Sequence, residues 1–491
     1  MILSRRRFAL LSTATAATLV GPAIVRPVAA QGRNRGRPKN VILMISDGAG
    51  FHTWNAASYY QFGELGRQVY DRFPVKTLTT TFPLDTNKSP TNDPTPKVGY
   101  DPAAAWSLLP GQGDRGGEIT KKKYPNFFAG YEFVKKYYTD SAAAGTALAA
   151  GIKTFNNAIN YDNFGKPVRM VADLAKSAGK STGVVSSVQI SHATPASFAA
   201  HNVSRNNYAE IGREMIEEGL CDVIMGAGHP MFDNDGRYRA PSSDKAFRYV
   251  GGADTYFRAA TGRTSYQWIE TRAEFEKLAE GTLALDKPKV LGVAQVHDTL
   301  QFNRSGEGMG NLVPNVPDLA TMSMGAIEVL SKNERGFFLM IEGGAVDWAA
   351  HANDTARLVE EQIDFNVAVR AVVGWIERNG GFEQNLLIVT TDHGNGIAYG
   401  PDSDRFAFQP VVNRGKGRLP EVQWHYDTHT NELVPVWAAG PGAERLVAAS
   451  TGEDPHTALV GWGDVRRYHD NTDIGRLIVA AVAGEQRASA D

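Results

Sequence analysis

The feature that most constrains the fold of this chain is an apolar run that ends in an acid and a glycine turn. Residues 40–46 read Asn-Val-Ile-Leu-Met-Ile-Ser, and Asp47 and Gly48 follow them directly. Nearly continuous apolar runs of this length are typical of strands buried on both faces of a parallel sheet. Because open α/β sheets bind ligands outside the carboxyl ends of their strands, we expect Asp47 to lie at a ligand site.

The same pattern occurs twice more along the chain. The apolar residues 337–341 run into Glu342, and residues 386–391 run into Asp392 and His393. Carboxylates and an imidazole at one edge of a sheet are ligands that divalent cations use in catalytic sites. The three runs therefore predict a site that holds more than one metal ion.

Further strand-like runs alternate with helical patterns over most of the chain. Apolar runs also occur at 183–188, 222–225, 290–294 and 433–438, and helical periodicity occurs at 170–179, 208–219, 318–330 and 354–379. The alternation predicts an α/β fold, a three-layer α/β/α sandwich around a large, mainly parallel sheet with loop insertions. We expect one catalytic domain at 40–482, insertions near 61–130, 230–289 and 395–428, and a tail at 483–491.

Residues 1–30 have the pattern of an export signal. Twin arginines in Ser4-Arg5-Arg6-Arg7-Phe8 precede an Ala-rich apolar stretch, and Val28-Ala29-Ala30 offers a small-residue cleavage site. The pattern predicts a Tat-type signal peptide, a linker at 31–39, and a periplasmic or secreted protein that uses the Tat export machinery. The alternative, a membrane anchor, is disfavoured because a Gly-Pro pair and an arginine break the apolar run.

Composition argues against two classes of partner. The formal net charge is -2, which gives no support to binding of nucleic acid or of an anionic membrane. The single cysteine, Cys221, cannot form an intrachain disulfide, and we expect it to be a buried apolar residue. Stability must then come from the core and from bound metal.

Ser141 is the candidate nucleophile. It follows Asp140 at the start of an Ala-rich helical segment that ends at Gly151. Asp140 and Ser141 could simply cap this helix. A helix N-terminus also binds phosphate and stabilises an alkoxide, so a serine there, beside a metal ion, could attack phosphorus.

The sharpest metal-binding pattern is an acid and a histidine four residues apart. Asp347 and His351 share one face of a helix that follows Glu342, and His429 precedes a further predicted strand. Oxygen and imidazole ligands without thiolate suit zinc, and sets dominated by oxygen suit magnesium. Any one of these residues could be a turn cap or a surface histidine, but the whole set at strand ends favours a metal centre.

Two further segments could add polar groups to the site. His192 and Thr194 follow the strand predicted at 183–188. Arg205 begins the next segment, and an arginine facing the site would bind two phosphate oxygens through its fork of donors. Taken alone, the residues give no reason to prefer Arg205 to an ordinary surface arginine.

Together these residues resemble the motifs of the alkaline phosphatases, whose metal-dependent superfamily also contains sulfatases, phosphodiesterases and cofactor-independent phosphoglycerate mutases. The matching motifs, in the family's order, are Ser46-Asp47-Gly48, Thr139-Asp140-Ser141-Ala142-Ala143, His192-Ala193-Thr194-Pro195-Ala196, Glu342-Gly343 with Asp347 and His351, Thr391-Asp392-His393-Gly394, and His429-Thr430. The match runs over most of residues 40–480. It implies hydrolysis of small phosphate monoesters.

The resemblance also implies a role for each site residue. Asp347, His351 and His429 would hold one Zn²⁺, Asp392 and His393 a second, and Asp47 would link the second to one Mg²⁺ whose shell Thr194 and Glu342 complete, with His192 acting there through water. Ser141 would form a phosphoserine, and Arg205 would clamp the phosphate. Trp348 stands where relatives often carry Lys or His; its indole can donate a hydrogen bond but carries no charge.

Several alternatives stay open. The same scaffold could act on phosphodiesters or sulfate esters, and an exported phosphate- or metal-binding protein without turnover is a further, disfavoured possibility. Many relatives are homodimers, but no heptad pattern or apolar strip in this sequence decides between monomer and dimer.

Overall fold

A computed structural model describes residues 36–108, 130–460 and 462–483 of the chain. The strands, in chain order, are β1 Asn40–Ser46, β2 Val75–Thr80, β3 Ser181–Gln189, β4 Val223–Ala227, β5 Tyr266–Ile269, β6 Lys289–Val293, β7 Phe337–Gly343, β8 Asn385–Thr390, β9 Gly394–Asn395, β10 Ala398–Tyr399, β11 Gln423–Trp424, β12 His429–Thr430, β13 Val434–Ala439, β14 Gly452–Glu453 and β15 Arg467–Asp470.

Most of these strands form one large sheet. Its order is β14-β15-β2-β13-β8-β1-β7-β3-β4-β6-β5. The strands from β8 to β5 are parallel to one another, whereas β13 is antiparallel to both β8 and β2, and β14 is antiparallel to β15. The four strands β8, β1, β7 and β3 are neighbours, so their carboxyl ends meet at one edge of the sheet.

Helices cover both faces of this sheet. The α-helices are α1 Phe51–Phe62, α2 Pro102–Ala105, α3 Ser141–Ala150, α4 Val171–Ser177, α5 Ala193–Ser197, α6 Tyr208–Arg213, α7 Ala253–Ala260, α8 Arg272–Ala279, α9 Leu319–Leu330, α10 Ala345–His351, α11 Thr355–Arg378, α12 Gly381–Gln384, α13 Arg445–Ala448 and α14 Asn471–Ala483. A π-helical turn, Glu214–Glu218, extends α6, and 3₁₀ turns lie at Val69–Arg72, Asp244–Val250 and Pro455–Val460.

The alternation of side chains along β1 explains the two layers of the core. Ile42 and Met44 pack into one apolar cluster with α9 and α11, whereas Leu43 and Ile45 pack into a second cluster with α3, α4 and α14. Successive side chains of a strand point to opposite faces, so an apolar run buries both faces at once. The predicted three-layer α/β/α sandwich around a mainly parallel sheet is confirmed.

Two strands of the sheet lie where the sequence predicts irregular insertions. β2 lies within the segment 61–130 and pairs with β13 and β15, and β5 lies within 230–289 and forms the outer edge beside β6. Both strands are short and lie in sequence segments rich in polar residues, so local hydrophobic periodicity does not reveal them. The predicted signal at 1–30 and most of the tail at 483–491 lie outside the described residues, and the domain boundaries stay a prediction.

Candidate active site and metal centre

The central strands deliver their polar side chains to one edge of the sheet. Asp47 follows β1, Glu342 lies near the end of β7, and Asp392 and His393 follow β8. The turn after β1 needs a glycine, because Gly48 has a φ of +68° and a Cβ there would lie 2.6 Å from Asp347 Oδ1. The absence of a side chain at residue 48 therefore leaves room for Asp347 beside the turn that carries Asp47.

Side chains of eight predicted site residues form three groups that could each hold a metal ion. Within the described residues the groups are Asp347, His351 and His429; Asp47, Asp392 and His393; and Asp47, His192 and Glu342, with the ligand atoms of each group within 4.8 Å of one another. Asp47 belongs to two groups and therefore joins them. The hydroxyl of Thr194 faces the Glu342 carboxylate in the third group.

Each histidine of the first two groups is oriented by a backbone carbonyl. The Nδ1 atoms of His351, His429 and His393 lie 2.8, 2.9 and 3.2 Å from the carbonyl oxygens of Asp427, Thr139 and Gly394. A proton on Nδ1 that donates to a carbonyl leaves Nε2 free to accept a cation, which is the usual second contact of a metal-binding histidine. The Nε2 atoms of His351 and His429 indeed lie 3.3 and 3.5 Å from Asp347.

The acids of the site are buried without enough protein donors. Neither oxygen of Asp47, nor Oδ2 of Asp392, nor Oε1 of Glu342 has a hydrogen-bond partner in the described part of the chain. The other Asp392 oxygen accepts from the backbone N–H groups of Gly48 and His393, and Ser186 donates to Glu342. Buried polar atoms are normally paired, so the unpaired oxygens indicate a missing positive ligand.

Electrostatics supports the same conclusion. Burial raises the pKa of Glu342 to about 7, and burial together with repulsion from Asp347 raises the pKa of Asp392 to about 7. Burial and repulsion from Asp392 raise the pKa of Asp47 well above its usual range. A divalent cation beside these groups would favour their charged form, so the residues present fit metal ions of oxygen and nitrogen preference.

The group around Asp347 differs, because histidines already balance its charge. Burial acts to raise the pKa of Asp347, but His351 and His429 outweigh burial and hold it well below the usual range. Burial likewise opposes protonation of His351, yet Asp347 raises its pKa to about 9. Without a cation, this acid would be held by protonated imidazole.

Ser141 is in reach of the metal-binding side chains. Its Oγ lies 3.2 Å from His393 Nε2, and its side chain is buried at the first turn of α3. Asp140 caps this helix, since its Oδ1 accepts from the backbone N–H of Ala143. Asp140 thus caps the helix while Ser141 lies at the candidate site, so the two interpretations of this segment are compatible.

Arg205 is brought to the same place by contacts that the sequence does not reveal. Its Nη1 lies 3.2 Å from Asp140 Oδ2, and its Nη2 lies 3.4 Å from His192 Nε2. Asn157 joins the two segments, because its N–H donates to Asp140 and its carbonyl accepts from the Arg205 N–H. Asn157 has a φ of +86°, a conformation that Asn tolerates better than most residues.

A cavity of about 560 Å³ opens above these groups. Its lining residues are Ser141, His192, Arg205, Phe302, Asp347, Trp348, His351, Ala352 and His429. The predicted nucleophile, the predicted phosphate clamp and Trp348 therefore share one space with four side chains of the candidate metal groups. Sequence reasoning missed Phe302 and Asn157; neither lies in a motif, and no local pattern marks them.

Comparison with known proteins decides the family. The family model for alkaline phosphatases matches residues 103–419. The chain belongs to the alkaline phosphatase family. The resemblance seen in the motifs is confirmed.

Individual relatives agree with this membership. The chain is 36% identical to alkaline phosphatase 4 of Bacillus subtilis over 264 residues, which is 52% of this chain and 50% of that protein. It is 28% identical to the alkaline phosphatase of Escherichia coli over 363 residues, 65% and 72% of the two chains. The match thus spans about half the length of the Bacillus relative.

A solved structure has the same fold. The cold-active alkaline phosphatase of a Shewanella species superimposes with a TM-score of 0.59 at 23% identity, covering 90% of this chain and 99% of that one. No helix within 36–108, 130–460 or 462–483 combines the length and apolarity of a bilayer span.

Proposed function

We propose that the chain of this alkaline phosphatase family member hydrolyses phosphate monoesters and releases inorganic phosphate and an alcohol. The observation that carries the proposal is the Ser141 hydroxyl, 3.2 Å from His393 Nε2 and in one cavity with Arg205. The hydroxyl and the arginine share this cavity with Asp347, His351 and His429, and His393 of a second candidate metal group lies next to the hydroxyl. These are the parts that phosphoryl transfer needs.

We further propose that the three groups hold two Zn²⁺ and one Mg²⁺. Asp347, His351 and His429 would hold one zinc, and Asp392 with His393 the other. Asp47 would join the second zinc to the magnesium, and Thr194, Glu342 and His192 would complete that third site. When bound, these ions would supply Lewis acidity and neutralise the charge of a phosphoryl group in transfer. A metal analysis of purified protein that finds fewer than two Zn²⁺ or no Mg²⁺ per chain would contradict this stoichiometry.

The chain's own residues account for nucleophile and clamp. Ser141 gives up its hydroxyl proton to solvent as its oxygen bonds to phosphorus. The bond from phosphorus to the alcohol oxygen, in line with the attack, breaks, and that oxygen takes a proton from solvent. The N-terminal N–H groups of α3 favour negative charge on the Ser141 oxygen. Water then cleaves the phosphoserine, which restores the serine hydroxyl and releases phosphate.

Arg205 would bind the equatorial phosphate oxygens. Its guanidinium is held on one side by Asp140, which leaves donors on the opposite edge for the ligand. Burial acts against the charged form, but Asp140 raises the pKa of Arg205, so the clamp keeps its positive charge.

The test uses Ser141→Ala. We expect kcat for p-nitrophenyl phosphate to fall by about a thousandfold or more, because the nucleophile is removed. Wild-type protein quenched in acid during turnover of labelled substrate should carry label on Ser141, and the variant should carry none. Label on the variant, or full activity without the serine, would rule out this nucleophile.

A second measurement distinguishes phosphomonoesterase activity from phosphodiesterase and sulfatase activity. We expect kcat/KM to be highest for p-nitrophenyl phosphate, lower for its bis ester and lowest for its sulfate. A preference for the bis ester would assign the site to phosphodiesters instead.

Export follows from the predicted N-terminal signal. We propose that the Tat machinery carries the folded precursor to the periplasm or the medium. The twin arginines support this, and replacing Arg5, Arg6 and Arg7 with lysine should retain the precursor in the cytoplasm. Unchanged export of that variant would contradict the route.

A further inference from the structure

The residues that line the cavity above Ser141 fall into two chemical sets. One set is the serine, the arginine and the side chains of the candidate metal groups, which would take the phosphoryl group. The other set is Phe302, Trp348 and Ala352, none of which has an assigned role in phosphate chemistry. These three side chains are available to contact the alcohol portion of a bound monoester.

Phe302 is attached to the central sheet through the turn that carries it. Thr299 bridges to Val188 of β3, and the backbone N–H of Leu300 donates to the carbonyl of Ser187 at 2.9 Å. Phe302 itself is half-buried and packs against the main apolar core. The ring is therefore fixed to the same strand whose end supplies His192.

A buried ion pair holds the far side of this turn. Arg304 is 5% exposed, and its Nη2 lies 2.6 Å from a Glu360 oxygen of α11. Its guanidinium also donates to the carbonyls of Gln301 and Gly310 at 2.9 and 2.6 Å. These contacts close the loop on both sides of Phe302, so little conformational freedom remains to be lost when a ligand contacts the ring.

Trp348 is held by a different element of the fold. It lies on α10 directly after the metal-binding Asp347, and its ring centroid is 6.0 Å from that of His192. The indole is half-buried, so one part of it packs against the site and the remainder is open to a ligand. Two aromatic rings from separate elements thus line the space beside the phosphoryl site.

We infer that Phe302 and Trp348 form a leaving-group wall, and that the preferred substrates are phosphate monoesters of aromatic alcohols. The inference rests on the proposed monoesterase function and adds the substrate class. A planar aromatic group gains from apolar burial and ring contact on this wall. A polyol would lose hydration against this wall, because Phe302 and Trp348 carry no charged or hydroxyl group that could replace it.

The test compares two ligands that share a headgroup. Methylphosphonate and phenylphosphonate both present a phosphonate, so their affinity ratio, measured by calorimetry on the metal-loaded protein, reports the wall alone. We expect phenylphosphonate to bind about tenfold more tightly to wild type. The ratio should fall toward one in a protein with Phe302→Ala and Trp348→Ala, and should persist in the control Phe164→Ala, an exposed phenylalanine that does not line the cavity.

The outcomes separate this inference from the function on which it rests. A ratio near one in wild type, or one that survives loss of both rings, would overturn the wall. Absence of phosphate release from phenyl phosphate by wild type would instead reject the monoesterase proposal. The binding ratio needs no turnover, so it is measured in either case.

Discussion

Two clusters of acids and histidines lie at the same edge of the sheet, and they differ in how many protein donors contact their acids. At the ends of β1, β7 and β8, the acids have oxygens with no hydrogen-bond partner in the described part of the chain. At the ends of β4, β5 and β6, Glu270 accepts from His229, Trp268 and Gln295 at 3.1, 2.9 and 3.1 Å.

The pKa values of the acids follow this difference. The hydrogen bond from His229, helped by those from Trp268 and Gln295, lowers the pKa of Glu270 to about 2, whereas burial raises that of Glu342 to about 7. An acid whose charge is satisfied by protein donors needs no ligand, and an acid without such donors does. The contrast therefore favours the central cluster over the outer one as the candidate metal centre.

The largest expected difference between the clusters is in activity. We expect Asp47→Asn to lower kcat/KM for a monoester by about 100-fold or more, because Asp47 belongs to two of the three metal groups. Metal content should fall in the same preparation. Glu270→Gln is the matched control and should keep both values near those of wild type; equal losses in the two variants would remove the distinction.

Chelation should separate the clusters through stability. If the free concentration of each ion exceeds its Kd a hundredfold, removing that ion costs about 3 kcal/mol per site, because ions that bind only the folded state stabilise it. We expect the chelator to lower the Tm of wild type and of Glu270→Gln equally. In a variant with Asp47→Asn and Asp392→Asn the shift should shrink to the part that the group Asp347, His351 and His429 contributes, and a full shift there would place the stabilising ions elsewhere.

Within the central cluster, the Asn157 side chain is expected to help hold Arg205 in position. Asn157→Gly keeps the left-handed backbone but removes the side chain that donates to Ser204 Oγ at 2.9 Å. We expect kcat/KM to fall by about tenfold as Arg205 loses its fixed position. The exposed Asn92→Gly, also at a positive φ of 58°, is the control. Equal kinetics in both variants would show that the Asn157 side chain does not position the arginine and that the backbone contacts of residue 157 suffice.

The smallest expected effect concerns the outer cluster. Glu270→Gln should cost about 1 kcal/mol of unfolding free energy, since its hydrogen bonds lose their charge. The pKa of Glu270 lies below its unfolded value of 4.5, so the carboxylate contributes stability above about pH 4.5 that is lost as pH falls toward about 2. Unfolding curves of variant and wild type should therefore converge in that interval, and a constant gap would assign the stability to another group.

The central part of the molecule is predictable from local sequence patterns. Strands such as β1 and β7 are marked by their own apolar runs, and an acid at the end of such a strand must lie at the carboxyl edge of a parallel sheet. This pattern is sufficient to assign Asp47, Glu342 and Asp392 to one site. The spacing of Asp347 and His351 likewise places both on one helical face.

The positions of the residues and strands around that centre depend on long-range contacts, which the sequence does not reveal. The place of β2 in the sheet depends on pairing with β13 and β15, which lie hundreds of residues away in the chain. The position of Arg205 depends on Asp140 and Asn157. The position of Phe302 depends on the ion pair between Arg304 of its own loop and Glu360 of α11. Local periodicity records which side of a strand or helix is buried, but contacts between loops leave no periodic trace, because each depends on where a distant segment packs.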